Sequence, residues 1–258
     1  EYTRVGGPLD ADWLLLQVTK TIDDIEKFNS VTPSLRDVYE LMSDPDDYLA
    51  RPETQPAMRE LLELIDGQRD MGEVLQAMRM NRFDVMGLLR DMCGAGLLRP
   101  KNSFELLMLG ENLRSTLPPQ KLARIYERVR ELGVDGFDVT LRLAEVHEEL
   151  ENPAKAALFY GDHARNCQAA GEVDLALGSA RRAVEFQPES SDLRQLLIEL
   201  LEDVGGDELA DALKDLAALK RSQGHHGQAE EDLCRALEVR PNDPELILAH
   251  IEACREIG

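Results

Sequence analysis

The sequence predicts an all-α protein in which a helical tail and a small three-helix unit precede a stacked array of helices. Three observations lead there. Aromatic residues make up only 5% of the 258 residues, with a single Trp, so the core must be built from Leu and Ala, both strong helix formers. Apolar positions step by three and four residues along most of the chain, which is the period of a helix face. From residue 154 onwards, Gly, Ala and Pro landmarks return at a fixed spacing. With 43% hydrophobic and 31% charged residues, the composition is that of a folded chain.

Charge excludes whole classes of function. Lys and Arg number 29 against 50 Asp and Glu, a net charge of -21. Non-specific binding to nucleic acid or to an anionic membrane needs a basic footprint that this balance does not supply. No apolar run reaches the roughly 18 residues of a membrane span, and no secretory signal is visible. Cys93, Cys167, Cys234 and Cys254 lie far apart with no CxxC pair. They read as reduced thiols on helix faces, not as a disulfide framework or zinc site, which predicts a cytoplasmic protein. The chain begins at Glu1 rather than Met, as a fragment of a longer protein would.

Residues 1–42 read as a helical tail. Asp10 or Asp12 supplies an N-cap, and Leu14, Leu15, Val18, Ile22, Ile25 and Phe28 form one apolar stripe. A stripe this apolar must be covered. Trp13–Phe28 is therefore expected to fold back on the three-helix unit or to pair two copies as a homodimer. Ser34 opens a shorter helix through Met42. Residues 43–56 hold three prolines and three aspartates and read as a linker. The aspartates do not make a calcium loop, because Pro45 interrupts them and the required Gly and Glu are missing.

Residues 57–100 read as helices Ala57–Ile65, Met71–Met78 and Arg82–Cys93, followed by Gly94, Gly96 and an extended tail through Arg99. This is the helix order of a winged helix. A DNA-reading third helix needs several phosphate-neutralising cations. Residues 1–100 carry 11 basic and 19 acidic side chains, and Arg82 and Arg90 are matched by Asp84 and Asp91. The unit is therefore expected to contact protein. The alternative is a transcriptional regulator binding DNA through Arg79, Arg82 and Arg90. Met71, Met78, Met80, Met86 and Met92 cluster here; most are expected to fill a small core, with Met80 exposed beside Asn81. Met80, Arg82, Met86 and Arg90 are the candidate partner-binding residues.

The run WLLLQVTKTIDDIEKF (residues 13–28) resembles the C-terminal end of the bacterial DUF4388 (PATAN-like) domain, whose Leu-rich helix finishes on an acidic turn of similar pattern. LLELIDGQRDMGEVLQAM and FDVMGLLRDMCGAGLL resemble the winged-helix unit that often accompanies it, with tetratricopeptide-like helices often following. The resemblance covers residues 10–100, without the body of that domain. It implies a bacterial signalling or motility adaptor and transfers no catalytic residue.

Residues 101–258 read as a repeat array. Gly171, Ala176, Ala183 and Pro188 follow the tetratricopeptide (TPR) pattern: Gly ends one helix, small residues let the next pack closely, and Pro ends that one. Gly224, Ala229, Ala236 and Pro241 repeat them 53 residues later. That offset predicts a three-helix unit, with copies at 154–170, 173–187 and 190–204 and at 207–223, 226–239 and 243–257. A fainter copy precedes them at 103–115, 119–132 and 137–150. Stacking such units buries faces that no unit covers alone, giving an α-solenoid with an inner groove.

Motifs for phosphate loops, dinucleotide binding, zinc proteases and nucleophilic elbows are missing. His225 and His226 lie in one turn, and His147, His163 and His250 read as separate packing residues. The sequence thus predicts no catalytic residue, cofactor or metal. It predicts a non-enzymatic interaction scaffold holding a peptide or helix in the array groove. The array's 18 basic and 31 acidic residues point to a basic or amphipathic partner.

Overall fold

The computed structural model describes residues 34–50, 55–134 and 139–257. The expected helix and pairing surface at Trp13–Phe28, and with them the DUF4388-like run, lie outside these residues. The chain divides into two compact units, the first ending at Asn102 and the second starting at Ser103.

In the first unit, β1 (Tyr39–Leu41) and α1 (Pro45–Leu49) lead into α2 (Pro56–Leu64), α3 (Met71–Ala77), α4 (Arg82–Gly94) and β2 (Leu98–Pro100). Pro56 starts α2 at a position where no N–H is needed. Asp70 and Glu73 close a reciprocal capping box on α3, and the Asn81 side chain caps α4. Their inward faces meet in one core that includes Leu61, Met71, Val85, Leu89 and Met92.

Two expectations fail here. Residues 34–42 are not a helix. The Ser34 hydroxyl and the Asp37 carboxylate accept from nearby backbone N–H groups, which competes with helix formation. Val38 and Tyr39 are then buried, and β1 pairs antiparallel with β2, Tyr39 opposite Pro100. The extended tail after α4 thus takes its partner from upstream, and a helix opens at Ser103 within three residues, so no wing hairpin forms after the third helix. The stretch read as a linker holds α1, whose Leu49 packs on the core and whose carbonyl accepts from Arg59 at 2.8 Å.

The second unit contains α5 (Ser103–Asn112), α6 (Pro119–Leu132), α7 (Thr140–Glu149), α8 (Pro153–Ala170), α9 (Val173–Phe186), α10 (Ser191–Val204), α11 (Asp207–Ser222), α12 (His226–Val239) and α13 (Pro244–Ile257). Each helix packs on its neighbours in sequence. Gly171 ends α8 in the left-handed conformation (φ 78°) that Gly adopts at no cost. A continuous core of Leu and Ala runs from Ala164 to Ala253. The fold is an α-solenoid of TPR-like hairpins.

The stacking unit is a pair of helices, not the three read from the 53-residue offset. Pro119, Pro153, Ser191 and His226 start alternate helices at intervals of 34, 38 and 35 residues. Ser103, Thr140, Val173, Asp207 and Pro244 start the others at 37, 33, 34 and 37. Ion pairs join six pairs of alternate helices: Arg142 to Glu111, Arg130 to Asp162, Arg182 to Glu148, Arg181 to Glu208, Arg235 to Glu202, and Arg221 to Glu256. Between α8 and α10 the contact is steric, since a Cβ on Gly161 would meet Leu193 Cδ2 at 2.8 Å. Two layers of alternating helices result. Helices 53 residues apart therefore fall in opposite layers.

Candidate interaction surface

Most cations of the array pair with carboxylates, many of them on the next helix but one of the same layer. Tyr126 and Tyr160, 34 residues apart, make the same arrangement twice. Tyr126 donates to Glu111 at 2.8 Å, and Arg142 approaches that carboxylate at 3.0 Å. Tyr160 donates to Glu148 at 2.8 Å, and Arg182 completes the second set. The Arg182 guanidinium also lies 4.9 Å from the Phe186 ring centre, and Phe186 stacks on Tyr160 at 5.8 Å. Burial and the bond to Glu148 push the Tyr160 hydroxyl up to about 12. Burial opposes ionisation of Glu148, yet the bonds from Arg182 and Tyr160 hold it below the usual carboxylate range.

Acids outnumber these cations. Glu149, Glu151, Glu172, Asp174, Glu189 and Asp192 are all exposed near helix ends. One cleft departs from the acidic pattern: about 470 Å³, it lies against α6, the start of α7 and α8. Arg130 and Arg165 flank Asp162 there at 3.1 and 3.6 Å, beside Val129, Thr140 and Asn166.

The residues proposed from the sequence are not brought together as one surface. Met86 is 2% exposed and belongs to the core of the first unit, because it falls on the inward face of α4 with Val85 and Leu89. Met80 is half-buried against that core and not exposed. Arg82 and Arg90 are exposed, with Arg90 beside Asp91. The exposed aromatic of this helix is Phe83, at 63%, which the Met pattern did not single out.

Three i, i+4 pairs are also missing from the sequence reading. His163 and Cys167, four residues apart, meet on α8, where the His163 Nδ1 lies 2.7 Å from the Ser179 hydroxyl. His250 and Cys254 share the same spacing on α13, as do Glu230 and Cys234 on α12. Of these last four, Glu230, Cys234 and His250 converge, with Cys254 Sγ 3.6 Å from the His250 ring. Among the described residues, Glu230, Cys234 and His250 bring donor atoms close enough together to share one metal ion. Of the turn histidines, His226 contacts Glu256 at 2.8 Å, and the bonds from Arg221 and His226 hold that carboxylate down at about 2.

Among solved structures, the chain is similar to MamA, at 17% identity over 57% of this chain and 93% of that one, with a TM-score of 0.32. It is similar to YrrB, described as a TPR protein with an unusual peptide-binding site, at 16% identity over 60% and 92%, TM-score 0.22. A third is TTC0263, a thermophilic TPR protein of Thermus thermophilus, at 18% identity over 59% and 98%, TM-score 0.19. At such TM-scores these likenesses carry no weight beside the helices themselves. No family model matches the chain, and no curated protein matches it. No described helix is long and apolar enough to cross a membrane.

Proposed function

We propose that this protein is a non-catalytic interaction scaffold in bacterial signalling or motility regulation, whose helical array holds a basic or amphipathic helix or peptide of a protein partner. The observation behind this reading is the distribution of charge. Most of the array's arginines and lysines are tied into ion pairs, many of them between alternate helices of one layer, while the excess carboxylates stand at the surface. A surface of one sign attracts and orients a partner of the other more than it adds affinity. Stacked hairpins present such a surface over a length that suits an extended peptide or a helix.

The test is calorimetry of the whole chain against a designed Lys-rich amphipathic helix and a copy with Lys replaced by Glu. The proposal expects one-to-one binding of the basic peptide that weakens with salt, and no binding of the acidic one. Equal binding of both, or none of either, would contradict it.

A further inference from the structure

We propose that Glu230, Cys234, His250 and Cys254 form a binding site for a borderline-soft divalent ion of the zinc class, joining α12 to α13. The His250 Nε2 atom is the common vertex. It lies 3.1 Å from Glu230 Oε1, 3.2 Å from Cys234 Sγ and 3.6 Å from Cys254 Sγ. Cys234 Sγ and Glu230 Oε1 are 3.1 Å apart. Tetrahedral zinc, with sulfur at about 2.3 Å and nitrogen or oxygen at about 2.1 Å, separates its ligand atoms by about 3.4–3.8 Å. Glu230, Cys234 and His250 thus need only small outward movements to share an ion, and Cys254, beside the His250 ring but outside that set of three, turns in to complete the shell.

Thiolate, imidazole and carboxylate together select zinc-like ions over calcium or magnesium, which want oxygen alone. The geometry has a local origin. Each helix offers two donors four residues apart, hence on one face, and the α12–α13 packing turns those faces together. The hairpin 53 residues earlier supplies the contrast. At the matching positions α9 and α10 carry Leu177, Arg181, Leu197 and Leu201, of which Leu177 and Leu201 belong to the buried core. Three of the four positions are thus apolar there and Arg181 is paired with Glu208, whereas α12 and α13 carry four polar donors.

The Cys234 thiol donates to Glu230, and that bond and burial push it up to about 11. Binding therefore releases the Cys234 proton to solvent as its thiolate coordinates the ion. Affinity should rise with pH.

The test uses the whole chain and Co²⁺ as the probe ion, followed by displacement with Zn²⁺. One equivalent of Co²⁺ should give a thiolate-to-cobalt charge-transfer band with tetrahedral visible bands, and Zn²⁺ should abolish both. Cys234→Ser and His250→Ala should each weaken binding by more than about 100-fold, since groups outside the first ligands alone are worth about 10–100-fold. Cys93→Ser and Cys167→Ser should bind as the parent does. If either ligand variant folds poorly, Glu230→Gln serves in its place, and Zn²⁺ should raise the Tm of the parent more than that of the variant. Failure to bind one equivalent would overturn the proposal. So would unchanged affinity in the ligand variants, or a Cys234–Cys254 disulfide forming in a chain with no Zn²⁺ affinity.

Discussion

The unit ending at Asn102 and the array that follows it hold themselves together over different distances along the chain. In the first, a strand at residues 39–41 closes on one at 98–100, and fifteen of the described residues are buried together in one core. In the array, each helix packs on its neighbours in sequence, and the ion pairs between alternate helices, such as Arg181 to Glu208 and Arg221 to Glu256, span about one hairpin of sequence. A closed core fails as a whole when one member is removed, whereas a stack loses one rung at a time.

The largest effect should therefore come from the closed core. Leu89→Ala removes a side chain that is 1% exposed and should destabilise the first unit by about 2–5 kcal/mol. In urea this would appear as an early transition while the array's midpoint stays in place. Movement of both together would erase the contrast. Next is Gly110→Ala in α5, whose new Cβ would meet the Tyr126 ring at 2.8 Å. That ring is pinned by its bond to Glu111, so overpacking should exceed the gain in helix propensity, for a net loss of about 1–2 kcal/mol.

Tyr160→Phe deletes one hydroxyl of the repeated clamp and should cost about 1 kcal/mol, measurable by denaturant titration. The smallest effect belongs to His147, buried and stacked on Phe159 at 5.4 Å, with neither ring nitrogen hydrogen-bonded. Burial and then Lys155 lower its pKa, against a smaller opposing pull from Glu127. The unfolded chain therefore takes up this proton before the folded one does, and stability falls as pH drops below about 6.5. His147→Gln should flatten that part of the Tm-against-pH curve.

The same contrast explains what could be read from the sequence. Array helices are punctuated locally by Gly171, Pro188, Gly224 and Pro241, so α9 and α12 emerge within a residue of expectation. β1 was invisible because its register is set by residues some 60 positions downstream, while locally Ser34 and Asp37 imitate a helix cap. The 53-residue offset is real in the residues but spans one and a half hairpins, and layer membership shows only when alternate helices are seen to pair. Met86 carried no signal separating a partner surface from a core, since Met serves both. The i, i+4 spacings of Glu230 with Cys234 and of His250 with Cys254 could be seen, but their convergence needs the packing of α12 on α13.

Zero-length carbodiimide cross-linking of the whole chain, with the joined residues mapped by mass spectrometry, tests the two-layer stack most directly. The contacts of Lys155 with Glu127 and of Lys214 with Glu245 each bridge alternate helices, and both links should form. A map in which neither forms, and lysines join only to carboxylates on adjacent helices, would contradict it.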